Sequence, residues 1–217
     1  MCGRFAQIRE EEELMKSLSV HHCEVSVETS YNIAPGADIP IIHQQDGRRV
    51  LDSRRWGLIP FWAKEDGKGM INARSETVSE KPSFRHAFSK RRCLIPSSGF
   101  YEWEKTENGK QPWLISGKHQ PLVFAGIWEQ WKSLEGFSVK TCAILTCEAN
   151  ELMTHIHHRM PVIDQEKERN IWLDPQTKLD LRSLLRPCSQ ELLQAWPVSS
   201  KVNRPVFNVP GLSLIHI

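Results

Sequence analysis

The sequence predicts an α+β fold: a single domain with a mostly antiparallel curled sheet, or a β-barrel core, flanked by helices. Most strand-like stretches lie in the middle of the chain, separated by short turn signals such as Asn108-Gly109 and Gly117-Lys118. Such signals favour antiparallel hairpins over βαβ crossovers. With no internal repeat and no linker rich in Gly, Pro or Ser, residues 1–217 are treated as one domain.

Five short segments have helical character. They are residues 8–18, with a run of glutamates, residues 84–88, residues 149–156, a segment that Asp164 would cap and that reaches Trp172, and residues 181–185. The third is the clearest, because Ala149, Leu152, Met153 and Ile156 follow the i, i+3, i+4, i+7 spacing of one helix face. The helices are therefore expected to be few and short.

Strands are predicted over residues 48–58, 93–104, 112–116, 122–128 and 137–146. The last of these alternates from Phe137 to Leu145, as a half-buried strand does. Residues 71–77 also alternate, and a strand there would place Asn72, Arg74 and Glu76 on one face.

Composition and charge set limits on function. Hydrophobic residues make up 40% of the chain and charged residues 25%, which argues against disorder and coiled coil. The net charge is only +2, but residues 48–118 hold 15 Lys/Arg against 8 Asp/Glu. A basic middle segment suits a polyanion such as nucleic acid, although an unevenly charged, solvated surface gives the same count. Without an apolar run of about 20 residues or a signal-peptide pattern, we expect a cytoplasmic protein without membrane contact.

Metal and cofactor sites are not predicted. The six cysteines are irregularly spaced without a CxxC pair, which predicts reduced thiols and no structural zinc site. His155, His157 and His158 cluster, but they lack the HExxH spacing. His157 is instead a candidate proton carrier near the end of a helix.

Cys2 is the most unusual candidate for chemistry. Removal of Met1 would leave its amine and thiol as a 1,2-aminothiol, with reference pKa values of about 8 and about 8.5. The amine can condense with an aldehyde to a Schiff base, and the thiol can then close a thiazolidine ring. This chemistry needs a thiol that solvent reaches. The alternative is a buried cysteine that serves as a small core residue.

Three further segments hold candidate binding or acid–base groups. Asn72 can hydrogen-bond a sugar or carbonyl oxygen, and Arg74 can bind a phosphate, unless Arg74 and Glu76 form a surface ion pair. Alternation places Glu102 opposite its aromatic neighbours, and a carboxyl group crowded by apolar surface can act as a general acid. The alternative is a glutamate on a wet strand face.

Aromatic residues follow a basic strand at Pro60-Phe61-Trp62. Such rings can stack on the bases of single-stranded nucleic acid, at about 1–3 kcal/mol per base. The alternative is that these side chains belong to the core, as most tryptophans do.

Six ordered motifs extend over most of the chain. They are Cys2-Gly3-Arg4-Phe5, Tyr31-Asn32-Ile33-Ala34-Pro35-Gly36, Trp56-Gly57-Leu58-Ile59-Pro60, Asn72-Ala73-Arg74-Ser75-Glu76-Thr77, Gly99-Phe100-Tyr101-Glu102-Trp103 and Ile156-His157-His158-Arg159-Met160-Pro161. With these motifs, residues 2–203 resemble the SOS-response-associated peptidase family. Residues 204–217 are unlike the family's ending, and His158 stands where an acidic residue is common.

The resemblance implies that the protein captures abasic sites in single-stranded DNA, as a covalent thiazolidine and without a cofactor. It also implies a self-removing peptidase activity, a lyase-like cleavage and a monomer. Cys2 would be the nucleophile, Glu102 the acid–base group, and His157 the group that assists Schiff-base chemistry. Asn72 would orient Cys2 and the sugar.

The same resemblance implies a DNA-binding surface. Arg4 and Arg74 would hold phosphates beside the lesion, with Asn32, Pro60, Phe61 and Trp62 near the DNA path. Two other functions stay open from the residues alone. One is a general cysteine peptidase that uses Cys2 and His157, and the other is a module that binds single-stranded DNA without a covalent bond.

Overall fold

The computed structural model describes residues 2–67 and 69–212, and this part of the chain contains thirteen strands and four α-helices. The strands are β1 (Phe5–Gln7), β2 (His22–Cys23), β3 (Ser30–Ile33), β4 (Asp38–Gln45), β5 (Arg48–Trp56), β6 (Asn72–Arg74), β7 (Arg92–Ser97), β8 (Gly99–Thr106), β9 (Gly109–Gly117), β10 (Leu122–Lys132), β11 (Ser138–Glu148), β12 (Arg159–Pro161) and β13 (Leu193–Pro197). The helices are α1 (Glu11–Ser17), α2 (Arg85–Lys90), α3 (Glu151–Thr154) and α4 (Arg169–Leu173). Short 3₁₀ turns at Glu166–Glu168, Leu181–Leu184, Gln190–Leu192, Ser200–Asn203 and Pro210–Leu212 complete the described chain.

Five strands close into a barrel. β11, β10, β7, β4 and β5 pair antiparallel in that order, and β5 then pairs in parallel with β11. Because the sheet closes, each of these five strands pairs with a neighbour on both sides along at least part of its length. β2 adds to β5, while β6 and β12 add to β11. The predicted fold class, an α+β domain with a mostly antiparallel barrel core, is confirmed.

A second sheet lies against the barrel. It has the order β13-β9-β8-β1-β3, and every neighbouring pair in it is antiparallel. Edge-to-face aromatic contacts join the two sheets: Phe5 meets Trp56 at 5.2 Å and Phe124 at 6.0 Å, and Phe100 meets Phe124 at 5.9 Å between ring centroids. Such contacts fix the second sheet, which carries the amino-terminal residues, on the barrel.

The chain changes sheets at Ser98, so the single strand predicted over residues 93–104 is wrong. β7 belongs to the barrel and β8 to the second sheet, and Ser98 between them donates its backbone N–H to Ala6, 2.8 Å away. A Cβ on Gly99 would lie 2.8 Å from the backbone oxygen of Ile115, so only glycine lets β8 approach β9 this closely.

The two predicted hairpins had different outcomes. The Asn108-Gly109 hairpin is confirmed, since β8 and β9 pair antiparallel up to Thr106 and Gly109. The turn at Gly117-Lys118 does not make a hairpin, because β9 pairs with β8 and β13 whereas β10 pairs with β7 and β11. A turn signal shows where the chain reverses, but long-range contacts choose the strand partners.

Several elements are shorter than the sequence predicts. The strand predicted over residues 71–77 ends at Arg74, and Glu76 lies in the following turn, off the face of Asn72. The helix predicted at residues 149–156 covers only Glu151–Thr154, capped by the side chain of Asn150. Asp164 is not a helix cap, because its carboxylate accepts a hydrogen bond from Arg169 Nε at 2.8 Å. Within the described residues, no helix is long and apolar enough to cross a membrane.

Candidate active site

Cys2 lies just before β1, beside the strand that carries Glu102. Phe5 pairs with Phe100, and the Tyr101 backbone N–H donates to the Arg4 carbonyl at 2.9 Å. This antiparallel register brings the amino-terminal segment alongside the middle of β8. Cys2 is fully buried and its Sγ lies 3.9 Å from the Arg4 carbonyl oxygen. The solvent-accessible thiol that the chemistry requires is therefore not present in the described conformation.

Asn72 is the first group in direct contact with Cys2. β6 pairs in parallel with β11, with Asn72 opposite Ile144, and this pairing places the amide at the barrel rim. Asn72 Nδ2 donates to the Cys2 carbonyl oxygen at 2.8 Å. Its Oδ1 is buried and accepts no hydrogen bond from the described residues. Asn72 therefore fixes the Cys2 backbone with one end of its amide and presents an acceptor with the other.

Glu102 lies close enough to act electrostatically on both Cys2 and His157. It is only 3% exposed, so its carboxylate does not lie on a solvent-exposed face of the strand. Burial raises the pKa of the Cys2 thiol well above its usual range, and the negative charge of Glu102 adds to this shift. The Cys2 thiol is consequently protonated at neutral pH, and nucleophilic attack needs a base to accept its proton.

His157 is oriented by the backbone after it. Its Nδ1 lies 2.9 Å from the Arg159 backbone N and 3.2 Å from the Arg159 carbonyl oxygen. Burial lowers the pKa of His157, while Glu102 acts in the opposite direction. The ring stacks on the exposed His158 with centroids 4.3 Å apart. Because its pKa is lowered, the His157 ring is neutral near neutral pH and can accept a proton. Glu102 is close enough to act on it electrostatically.

Arg74 and Arg4 lie near these side chains, but their environments differ. The described residues provide no side-chain partner for the exposed Arg74, because Glu76 instead pairs with Arg159. The Arg74–Glu76 surface pair is therefore absent from the described structure, and the guanidinium of Arg74 is available. Arg4 is half-buried and donates to Asn32 Oδ1 at 2.8 Å and to the Val202 carbonyl at 3.0 Å.

Asn32 is a buried anchor for the carboxyl-terminal segment. Its Nδ2 lies 3.3 Å, 3.1 Å and 2.7 Å from the carbonyl oxygens of Val202, Arg204 and Phe207. Because Asn32 also accepts from Arg4, it orients that guanidinium. Leu212 belongs to the same buried cluster as Tyr101.

The aromatic segment after β5 is exposed except at its first residue. Pro60 is buried, whereas Phe61 and Trp62 are 50% and 53% exposed. Trp131 Nε1 donates to the Ala63 carbonyl at 2.7 Å and fastens the end of this turn. Phe61 and Trp62 are therefore half-exposed, with the Phe61 ring 5.0 Å from that of His86 and Trp62 Nε1 3.4 Å from the Pro82 carbonyl.

Arg159 is a residue that the sequence reasoning did not single out. Its guanidinium binds Glu76 with two hydrogen bonds and donates to the Thr146 carbonyl at 2.6 Å. Its backbone also contacts His157 Nδ1, as described above. Its position two residues after His157 in a matched motif was the signal that would have identified it.

The candidate site consists of Cys2, Asn72, Glu102 and His157. Across the described residues, no three His, Cys, Asp or Glu side chains are placed to hold a metal ion. A cavity of about 470 Å³ lies between residues 25–30 and the carboxyl-terminal segment at Pro205 and Asn208, and its lining includes none of the four groups. The four groups of the candidate site are a thiol, an amide, a carboxylate and an imidazole.

Five strands close into a barrel, and the fold brings the amino-terminal Cys2 beside Asn72 and the buried Glu102. The fold and the site together define a class: a β-barrel protein with a candidate cysteine nucleophile. A sequence model of the SOS response associated peptidase family matches residues 1–205. The chain belongs to this family.

Similar proteins and structures agree with this assignment. The chain is 42% identical to the abasic site processing protein YoqW of Bacillus subtilis, over 100% of both chains. It is 34% identical to the abasic site processing protein HMCES of Gallus gallus, over 80% of this chain and 62% of that one. A crystal structure of a protein from Bacteroides thetaiotaomicron superposes with a TM-score of 0.88 at 29% identity, covering 97% of this chain and 98% of that chain.

Proposed function

We propose that the protein processes abasic sites in single-stranded DNA by trapping the opened sugar on Cys2 as a thiazolidine, once Met1 has been removed. The observation that carries this proposal is that Asn72 holds the Cys2 backbone while Glu102 acts electrostatically on both Cys2 and His157. The relatives named abasic site processing proteins supply the substrate class.

The DNA would be held by cations and aromatic rings around this group. The exposed Arg74 is placed for a phosphate beside the lesion, and the half-buried Arg4 for a second, with Asn32 holding Arg4 in position. Phe61 and Trp62 offer rings on which bases can stack. The buried Pro60 would support this turn.

The proposed reaction needs only these side chains. Glu102 assists opening of the sugar hemiacetal to the aldehyde: its carboxylate accepts the proton of the hemiacetal hydroxyl, the bond from that carbon to the ring oxygen breaks, and the proton passes to the ring oxygen. The free Cys2 amine adds to the aldehyde carbon, and loss of one water leaves an imine, with Asn72 orienting the reactants and His157 moving protons. The thiol then adds across the C=N bond: sulfur bonds to carbon, and the thiol proton goes to nitrogen. Aldehyde and aminothiol thus give thiazolidine and water, with no redox change.

Burial of Cys2 sets a condition on this mechanism. In the chain with Met1, the Cys2 nitrogen is a peptide amide and the thiol is enclosed and protonated. Removal of Met1 creates the amine and releases Cys2 from one of its two peptide links. We infer that this step also lets the thiol reach the sugar. The peptidase activity of the family name would then be this self-processing, and lyase-like cleavage would proceed from the same imine.

The central experiment compares variants with a single-stranded oligonucleotide that carries one abasic site. Mass spectrometry first establishes that Met1 is absent. Wild type is expected to give a heat-stable adduct, and Cys2→Ala none. Cys2→Ser, like Cys2→Ala, keeps the amine but not the thiol, so both variants should give an adduct only after borohydride reduction of the imine. Cys23→Ser, at a half-buried cysteine outside the site, is the matched control. Absence of an adduct with processed wild type would refute the proposal.

Two rival functions predict different results in the same assay. A general cysteine peptidase would turn over unrelated peptides, with sensitivity to Cys2→Ala and indifference to DNA. A non-covalent single-strand binding module would give salt-labile complexes with intact and abasic DNA alike. We propose the covalent function for a cytoplasmic monomer, because the relatives named abasic site processing proteins favour a DNA lesion over a peptide as the substrate.

A further inference from the structure

The aromatic turn after β5 lies against α2 and the segment that leads into it. The ring centroids of Phe61 and of His86, on α2, are 5.0 Å apart with an angle of 57° between the ring planes. This separation is within the range at which aromatic rings attract each other. Trp62 Nε1 lies 3.4 Å from the Pro82 carbonyl oxygen. Both exposed rings of the turn therefore have a contact on this side of the molecule.

His86 also contacts a buried carboxylate. Its Nδ1 lies 3.2 Å from Oε2 of Glu129, a residue of the barrel strand β10. The His86 side chain is 46% exposed, whereas that of Glu129 is only 2% exposed. This contact ties a histidine at the surface to a strand of the barrel.

Glu129 has further partners that hold its carboxylate in place. Oε1 accepts a hydrogen bond from Arg91 Nη1 and another from the Gln130 backbone N–H at 3.0 Å. Arg91 Nη1 also lies 3.1 Å from His86 Nδ1. A buried carboxylate is costly unless it is paired and hydrogen-bonded, and these partners meet that requirement. His86, Arg91 and Glu129 thus form one network anchored on the barrel.

The backbone of the aromatic turn is fixed by other contacts. The Ala63 N–H donates to the Pro60 carbonyl at 2.9 Å, and Trp131 Nε1 donates to the Ala63 carbonyl at 2.7 Å. These bonds set the path of the chain but leave the direction of the Phe61 ring open. Among the described residues, His86 is the one that places a second ring against Phe61.

We propose that His86 is a positioning residue for DNA, which holds the Phe61 ring in one orientation for stacking on a base. This inference rests on the proposed function, because it takes Phe61 as a ring on which single-stranded DNA stacks. A half-exposed ring without such a contact samples several rotamers, and binding must then restrict them. The network of His86, Arg91 and Glu129 supplies this restriction before DNA binds.

The test measures the affinity of the full chain for an intact single-stranded oligonucleotide, by fluorescence anisotropy at one fixed salt concentration. His86→Ala should weaken binding about two- to tenfold, the cost of ordering one side chain. Phe61→Ala removes the ring itself and should weaken binding about five- to a hundredfold. The double variant should bind no more weakly than Phe61→Ala alone, because His86 acts through Phe61. His119→Ala, at an exposed histidine between β9 and β10, is the matched control and should bind as wild type does.

A second variant separates the ring of His86 from its polar contacts. His86→Asn can still contact Glu129, so the buried carboxylate keeps a partner and the fold is retained, but asparagine offers no ring to Phe61. It should therefore bind the oligonucleotide as weakly as His86→Ala. Proton NMR gives a spectroscopic signature of the same contact. The ring current of Phe61 should shift the resonances of the His86 ring, and Phe61→Ala should abolish this shift.

Four results would overturn the proposal. They are wild-type affinity in His86→Ala, wild-type affinity in His86→Asn, a further loss of affinity when His86→Ala is added to Phe61→Ala, and His86 resonances that Phe61→Ala leaves unchanged. The third would show that His86 contacts DNA directly. All four measurements use intact DNA or no DNA, so they are independent of Cys2. If processed wild type binds the oligonucleotide but forms no adduct with abasic DNA, the covalent function fails while the positioning of Phe61 is judged by the variants alone.

Discussion

Asn72→Ala is the perturbation that tests most directly whether the site is organised by the Asn72–Cys2 contact. The substitution removes the 2.8 Å hydrogen bond from Asn72 Nδ2 and leaves the Cys2 carbonyl, next to a fully buried residue, without its donor. Leaving such an acceptor unsatisfied costs about 1–3 kcal/mol. For a chain of this size each kcal/mol lowers Tm by about 2–4 °C, so calorimetry should record a fall of several degrees.

The same substitution should slow the capture of an abasic oligonucleotide. Misplacement of a reacting group by about 1 Å can cost a hundredfold in rate, and we expect a loss of about ten- to a hundredfold in crosslinking. Denaturing gels that follow the adduct over time measure this rate at saturating DNA.

Arg74→Ala, two residues along the same strand, is the matched control. Arg74 is exposed and the described residues provide no partner for its guanidinium, so its loss should leave Tm unchanged. DNA affinity should fall, and the dependence of log K on log salt should weaken by about one unit. The reasoning would be refuted if Asn72→Ala left both Tm and crosslinking rate at the wild-type values, or if Arg74→Ala lowered Tm as much as Asn72→Ala.

Two further predictions concern stability. The guanidinium of Arg159 holds the pKa of the Glu76 carboxyl below its usual value, so this pair stabilises the fold above the unfolded pKa of about 4.3 and ceases to do so as pH falls through the lowered folded value. Glu76→Gln should therefore lower Tm at pH 7, and the difference from wild type should shrink in acid; a constant difference would contradict the ion pair. Gly99→Ala places a Cβ 2.8 Å from the Ile115 backbone oxygen and should destabilise by about 1–3 kcal/mol in urea unfolding. Gly211→Ala, where a Cβ meets nothing within 4 Å, should stay within about 0.5 kcal/mol, and equal losses in the two variants would contradict the close-approach argument.

The types of chemistry at the site could be inferred before the fold was known. An amine and a thiol on one residue determine which electrophiles Cys2 can capture, and this is a property of covalent structure alone. The alternation around Glu102 also indicated which face of its strand the carboxylate takes. The antiparallel pairing predicted at Asn108-Gly109 succeeded because a hairpin is local, and this hairpin lies in the second sheet.

Predictions that depended on partners distant in sequence were less successful. Glu76 was considered as a partner for Arg74, two residues away, but it binds Arg159, 83 residues away. β10 follows β9 in the chain but pairs with β7 and β11. Which strands pair depends on how apolar faces pack across the whole domain, and a turn signal carries no information about that.

By itself, the sequence determined the reactive groups that this protein contains and the short elements on which they lie, because covalent chemistry and local periodicity are properties of neighbouring residues. Only the tertiary structure decided that Asn72 holds Cys2 and that the Cys2 thiol is enclosed. The physical reason is that burial, desolvation and hydrogen-bond partnership arise from contacts between segments far apart in the chain, which form only when the barrel closes.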